Sequence, residues 1–231
     1  MKLGVTLPSF RLDAVALDAA CQAEDAGLDG VFVFDHLWPM GRPDRPALAA
    51  VPLLGALAAR TERVVIGPLV ARVGLVPDGL LVAEILSLEA MAPGRVVAGL
   101  GTGDSKSAEE NIAYGIPYAP ASLRRASLEW CATTLLGRGV PVWVGGGAPA
   151  TTAIAARAGA AVNLWGASPE VIGEHAGHGE VTWAGPTGRD VRSTLSCLEL
   201  VAAAGATWAV IDWTDEPGAL EALAQAVCLL P

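Results

Sequence analysis

The chain has 231 residues, with 15 Lys plus Arg against 24 Asp plus Glu, 52% hydrophobic and 17% charged residues. That length suffices for one large domain with a substantial core, and so low a charge content excludes a disordered chain. The formal charge of −9 opposes binding to nucleic acid or to an anionic membrane surface.

The mean hydropathy of +0.45 raises the question of a membrane helix. The longest charge-free stretch, 139–156, is interrupted by Pro141, Gly145, Gly146, Gly147 and Pro149 and would not span as one. The apolar run 3–10 is too short for a secretory leader. Cys21, Cys131, Cys197 and Cys228 lack CxxC or metal spacing, so packed free thiols in a reducing, cytoplasmic compartment are expected.

Eight apolar runs have the length of buried strands: 2–7, 30–34, 63–70, 95–100, 142–145, 161–165, 180–184 and 207–212. Helical patterns fall between them at 13–26, 47–60, 80–91, 108–136 (interrupted near Pro117 and Pro120), 150–158, 169–176, 191–204 and 217–229. One phrase recurs at the helix-to-strand joints. It reads Ala-Glu-Asp-Ala-Gly at 23–27, Ala-Ala-Arg-Ala-Gly at 155–159 and Ala-Ala-Ala-Gly at 202–205. An Ala-rich helix end, a Gly suited to a left-handed cap and a continuous apolar run form the pattern of parallel sheets covered on both faces. Eight such units without a linker predict an α/β fold, a single (β/α)8 TIM barrel over 1–231, slightly below the usual size of about 250 residues. A doubly wound sheet would carry a glycine fingerprint after its first strand, where Pro8, Ser9, Phe10 and Arg11 stand instead.

Barrel chemistry sits at the C-terminal strand ends. Asp35 and His36 follow the second run directly. An imidazole there can exchange protons near neutral pH with the Asp35 carboxylate orienting it; the structural reading is a loop-capping Asp beside a surface His. Gly101, Thr102, Gly103 and Asp104 follow the fourth run. Such glycines let a backbone approach a flat or phosphorylated ligand, with Asp104 at the rim as a general acid. The motif also fits a dinucleotide or S-adenosylmethionine loop, although no acid ends the next strand to hold a ribose. Gly145, Gly146, Gly147 and Ala148 enter a helix through Pro149, an anion site to which Thr151 and Thr152 can add hydroxyls. Trp165 ends the sixth run, where an indole packs or walls a flat cofactor. Neither a serine-hydrolase triad nor a metal-ligand cluster is read.

Six phrases, in order, then carry a resemblance. They are Lys-Leu-Gly-Val-Thr-Leu-Pro at 2–8, Ala-Glu-Asp-Ala-Gly at 23–27, Asp-His-Leu-Trp at 35–38, Ala-Ala-Arg-Thr-Glu-Arg-Val-Val-Ile-Gly at 58–67, Pro-Gly-Arg-Val-Val-Ala-Gly-Leu-Gly-Thr-Gly-Asp at 93–104 and Pro-Val-Trp-Val-Gly-Gly at 141–146. Together they resemble the luciferase-like monooxygenase superfamily of flavin- or F420-dependent oxidoreductases. The resemblance implies a flat tricyclic cofactor at the barrel mouth, F420 slightly ahead of FMN, and hydride transfer to or from a small organic substrate or flavin-dependent monooxygenation. It implies a non-proline cis peptide near Leu69 and Val70, proton handling by His36 and Asp104, and a phosphate on Gly145, Gly146 and Gly147. Two departures stand out. Leu75 and Val76 precede Pro77 where the family has an Arg, and 136–140 runs almost directly into the fifth strand, without the family's long covering insertion. A trimmed, open barrel is therefore expected, or one completed by a partner subunit as a homodimer. The alternative is a cofactor-binding paralogue without turnover; an S-adenosylmethionine methyltransferase is more distant.

Overall fold

A computed structural model describes residues 1–230. Its strands are β1 (Lys2–Thr6), β2 (Gly30–Val33), β3 (Val65–Pro68), β4 (Ala71–Arg72), β5 (Ala98–Gly101), β6 (Val142–Gly145), β7 (Ala161–Trp165), β8 (Val181–Gly185) and β9 (Trp208–Asp212). The helices are α1 (Val15–Asp25), α2 (Ala50–Arg60), α3 (Asp78–Met91), α4 (Ser107–Ala113), α5 (Ala121–Leu136), α6 (Pro149–Ala158), α7 (Pro169–Ala176), α8 (Val191–Ala203) and α9 (Ala219–Val227). The ladder runs β3-β2-β1-β9-β8-β7-β6-β5-β4, with parallel pairing throughout.

β3 and β4 end that ladder yet follow each other in the chain. The Ile66 N–H donates to the Arg95 carbonyl at 2.7 Å and the Val97 N–H to the Ile66 carbonyl at 3.0 Å, so the ring closes. This is the expected TIM barrel, with two elements divided. The run 63–70 does not continue as one strand: a cis peptide joins Leu69 to Val70, with β3 pairing to β2 before it and β4 pairing to β5 after it. The helical stretch 108–136 becomes α4 and α5, separated by the segment that holds Pro117 and Pro120. Closure excludes the doubly wound sheet. α5 leads to β6 through residues 137–141 alone, so no long insertion covers the mouth.

Local chemistry explains the elements. β2 and β8 are buried at every residue, as strands covered on both sides must be. The recurring glycines, Gly27, Gly159 and Gly205, take φ values of 87°, 77° and 101°, the left-handed turn that lets each helix reverse into its strand.

Two apolar layers result. Between sheet and helices lie side chains such as Leu54, Leu57, Ile85 and Leu128. Inside the ring Phe32 meets Trp143 at 5.1 Å and Trp208 at 6.0 Å between centroids, and the two indoles meet at 5.4 Å. So narrow a lumen holds three large rings only beside residues without side chains: a Cβ on Gly4 would lie 2.8 Å from the Phe32 ring, and one on Gly30 3.0 Å from Trp208. Packing of the cysteines holds for Cys131 alone, whose thiol burial pushes up to about 12. Cys197 and Cys228 are exposed and Cys21 is half-buried, and all four thiols are free. Among the described residues no helix is long and apolar enough to cross a membrane.

The seam of the ring gives a direct test. A Cβ on Gly67 would lie 2.1 Å from the Val97 carbonyl oxygen, whereas one on Gly55 in α2 meets nothing within 4 Å. Gly67→Ala is expected to destabilise the fold by about 1–3 kcal/mol, and Gly55→Ala to stabilise it by about 0.5–1 kcal/mol, both read from urea unfolding midpoints.

Candidate active site

At the C-terminal mouth a cavity of about 650 Å³ opens, within the range of roughly 300–1,000 Å³ typical of small-molecule sites. Every residue singled out from the sequence as catalytic or cofactor-binding lines it except Thr152, joined by Phe10, Phe34, Met40, Arg72 and Ser107.

The floor is Leu69 and Val70. A Cβ on Gly101 would lie 2.5 Å from Val70 Cγ2, and one on Gly145 would lie 3.0 Å from Val70 Cγ1. Gly103 has φ +68°, and a Cβ there would lie 2.6 Å from Arg72 Cδ. The sequence suggested that the fourth-strand glycines admit a ligand; Gly101 and Gly103 first of all admit the broken third strand. Thr102 turns its hydroxyl to the Gly103 carbonyl at 3.3 Å, and its own carbonyl accepts from Arg124 Nε at 2.8 Å.

One wall is aromatic. Phe10 stacks on Phe34 at 5.6 Å with planes 3° apart, and Phe34 meets Trp165 edge-on at 5.9 Å. Trp165 is half-exposed, unlike the packed Trp143, Trp183 and Trp208. At the end of the neighbouring β6, Gly146, at φ +106°, turns the chain into α6. The N–H groups of Gly147 and Ala148 make no hydrogen bond among the described residues, and they stand at a helix N-terminus whose dipole favours negative charge. The Thr hydroxyls are not the free donors expected. Thr151 bonds to the Gly146 and Ala148 carbonyls at 3.0 and 2.8 Å, and Thr152 to the Pro149 carbonyl at 3.1 Å. A phosphate fits this cradle through main-chain N–H groups.

The polar side rests on a residue the sequence reading missed. His36 Nδ1 lies 2.9 Å from Glu110 Oε1 on α4, and Glu110 Oε2 lies 2.8 Å from Arg72 Nη2. Burial works to raise the Glu110 pKa, but the His36 hydrogen bond and the Arg72 charge outweigh it and hold the carboxylate below its usual range. An ionised carboxylate only accepts, so Nδ1 donates and Nε2 is the free ring nitrogen. Ser107, Glu110 and Asn111 are the buried residues of α4, while Ile112 is exposed. This inverted amphipathicity was the available signal, and a seven-residue helix is too short for periodicity to reveal it.

Two expected roles change. Asp35 does not orient His36: its carboxylate accepts the Arg72 N–H at 2.9 Å and ties the end of β2 to β4, with burial pushing its pKa up. Asp104 stands at the rim, but its carboxylate accepts the N–H groups of Lys106 and Ser107 at 2.9 and 3.1 Å and the Ser107 hydroxyl at 3.2 Å. Burial would raise its pKa; the bonds from Ser107 and Lys106 hold it below the carboxylate range instead. A carboxylate held ionised by its own loop is not a general acid. Nearby arginines are also engaged: Arg42 pairs with Asp44, Arg124 stacks on Tyr118, and Arg72 is buried.

Asp104→Ala should lower stability at pH 7 by about 1 kcal/mol, the usual net worth of an intramolecular hydrogen bond. Because the folded-state pKa lies below the unfolded one, this difference is present above about pH 3.9 and shrinks as pH falls through the folded value. Urea unfolding of both proteins at pH 7 and pH 3 checks it.

Residues 12–131 match the family model for luciferase-like monooxygenases. The chain is 33% identical over 188 residues to an F420-dependent glucose-6-phosphate dehydrogenase of Microbacterium testaceum, covering 68% of this chain and 54% of that protein. It is 31% identical over 171 residues to one of Nakamurella multipartita, covering 61% and 48%. The chain thus spans about half the length of the curated relatives it matches. Among solved structures, an F420-dependent secondary alcohol dehydrogenase in complex with an F420-acetone adduct aligns over 98% of both chains with TM-score 0.83 and 15% identity. A coenzyme F420-dependent tetrahydromethanopterin reductase from Methanopyrus kandleri aligns over 98% of both with TM-score 0.76 and 14% identity. These two show the likeness of fold. With the family model covering more than half of its residues, the chain belongs to the luciferase-like monooxygenase family.

Proposed function

We propose that the protein is an oxidoreductase that binds F420, or less favourably FMN, at the barrel mouth and moves a hydride between it and a small organic substrate. The observation that carries this reading is the convergence of a glycine-cradled helix N-terminus, an apolar floor and an imidazole on one cavity. The curated relatives are named as F420-dependent, which favours F420. When bound, such a cofactor supplies the two-electron acceptor or donor.

The chain's own residues do the rest. Gly147 and Ala148 hold the cofactor phosphate through their N–H groups, Val70 supports the ring, and Trp165 walls it. His36 Nε2 takes the hydroxyl proton of an alcohol being oxidised, or returns it to a carbonyl being reduced, while Glu110 stabilises the imidazolium that forms. Asp35 and Asp104 shape the loops around this centre without exchanging protons.

The cavity also bears on substrate class. Arg72 is its one lining cation, it is buried against Glu110, and Asp104 adds negative charge. A sugar phosphate would meet no free cation there, so an uncharged alcohol or carbonyl compound lying along Phe10 and Phe34 is the favoured substrate. A cytoplasmic location suits the four free cysteines.

Titration with F420 should quench its fluorescence, with the deazaflavin chromophore lacking the phosphate-linked tail binding at least tenfold more weakly. Gly146→Val should weaken F420 binding by a similar factor while leaving the far-ultraviolet circular dichroism intact. His36→Asn should leave F420 affinity unchanged and lower kcat by about 100-fold or more. Absence of F420 and FMN binding by the wild type would sink the reading, as would turnover of glucose 6-phosphate at rates above those of uncharged alcohols for the substrate class.

A further inference from the structure

Arg72 is the least economical residue in the cavity wall. It is 5% exposed, and Nε, Nη1 and Nη2 are shielded from solvent with no well-aligned hydrogen-bond acceptor. Its single ion-pair partner is Glu110, at 2.8 Å from Nη2, a contact close enough for charge to act but off the axis of a good hydrogen bond. A buried cation with unfilled donors opposes folding, and an apolar side chain of equal volume would serve the core better. Two features nevertheless hold it there. The glycine at 103 leaves space for its stem, since a Cβ would lie 2.6 Å from Arg72 Cδ, and Asp35 fixes its backbone by accepting its N–H.

We propose that Arg72 is a positioning residue for proton transfer at His36 and acts through Glu110: its buried charge keeps the Glu110 carboxylate ionised, which fixes the imidazole proton on Nδ1 and leaves Nε2 as the proton acceptor. The proposal rests on the reading of His36 given above. The titratable and charged groups around the imidazole are Glu110 on α4, Arg72 on β4, Asp35 beside it on the β2 loop and Asp104 on the β5 loop; of these, Arg72 alone is a cation. With that cation removed, Glu110 and His36 form a buried pair with an uncompensated negative charge. The pair then takes up a proton at higher pH, and Nε2 is withdrawn as an acceptor.

The test uses nitrogen-15 NMR of the imidazole rings in the apoprotein. The chain has 3 His, so the spectrum of His36→Gln assigns the His36 signals. At pH 8 the wild type should show a protonated Nδ1 and an unprotonated Nε2. Arg72→Met should move the midpoint of proton uptake by the His36–Glu110 pair upward by about one pH unit or more, and Arg72→Lys, which keeps the charge, should restore at least half of that shift. In the F420-loaded enzyme the acid limb of the kcat/KM profile should move by the same amount, an effect that a merely structural role for Arg72 would not produce. A proton on Nε2 in the wild type overturns the proposal, and that measurement requires no variant to fold. An unchanged midpoint in a folded Arg72→Met protein overturns it equally. Failure of the wild type to bind F420 is a different result, which overturns the functional reading and with it the catalytic half of this proposal.

Discussion

Val70 fills the centre of the barrel mouth, and it can do so because the strands beside it carry glycine where it touches them. Its methyl groups occupy the positions that side chains on Gly101 and Gly145 would need. Below it, the lumen is closed over Phe32, Trp143 and Trp208; above it, the cavity gains an apolar floor. At this point the chain also changes partners, from β2 on one side of Leu69 and Val70 to β5 on the other. That exchange brings Arg72 beneath α4. The floor of the site and its only cation therefore follow from one local departure from regular strand geometry.

The charged groups at the mouth divide by what they touch. Asp35 and Asp104 accept backbone N–H groups and hold strand ends and loops in place. Glu110 instead meets two side chains, His36 and Arg72, where water is largely excluded. Charges so placed act on one another far more strongly than they would at the surface. A carboxylate clamped by its own loop is a poor proton donor, whereas an imidazole with one nitrogen tied and the other free is well suited to proton exchange.

The connection between α5 and β6 is short, and Phe10, Phe34 and Trp165 form the aromatic side of the cavity. The matched part of the chain covers about half of the curated relatives it resembles. The residues that line the cavity stand mostly on strand ends and the loops that follow them, with Glu110 behind them on α4.

Much of this protein is legible in its amino-acid order. Buried parallel strands declare themselves as apolar runs, and the glycine at each helix end must take a left-handed turn, so the alternation of elements and the barrel follow from local rules. The strand-end motifs at 35–36, 101–104 and 145–151 were legible for the same reason, because a barrel gathers its strand ends on one face. Which side chain meets which was settled only by the tertiary structure. Glu110 pairs with His36 across 74 positions of sequence, Asp35 turns from its neighbour to a backbone 37 positions away, and Gly101 is small because Val70 is there. Local sequence determines backbone form through steric and burial preferences; the partners of a carboxylate depend on distances between strands, which exist only once the ring has closed.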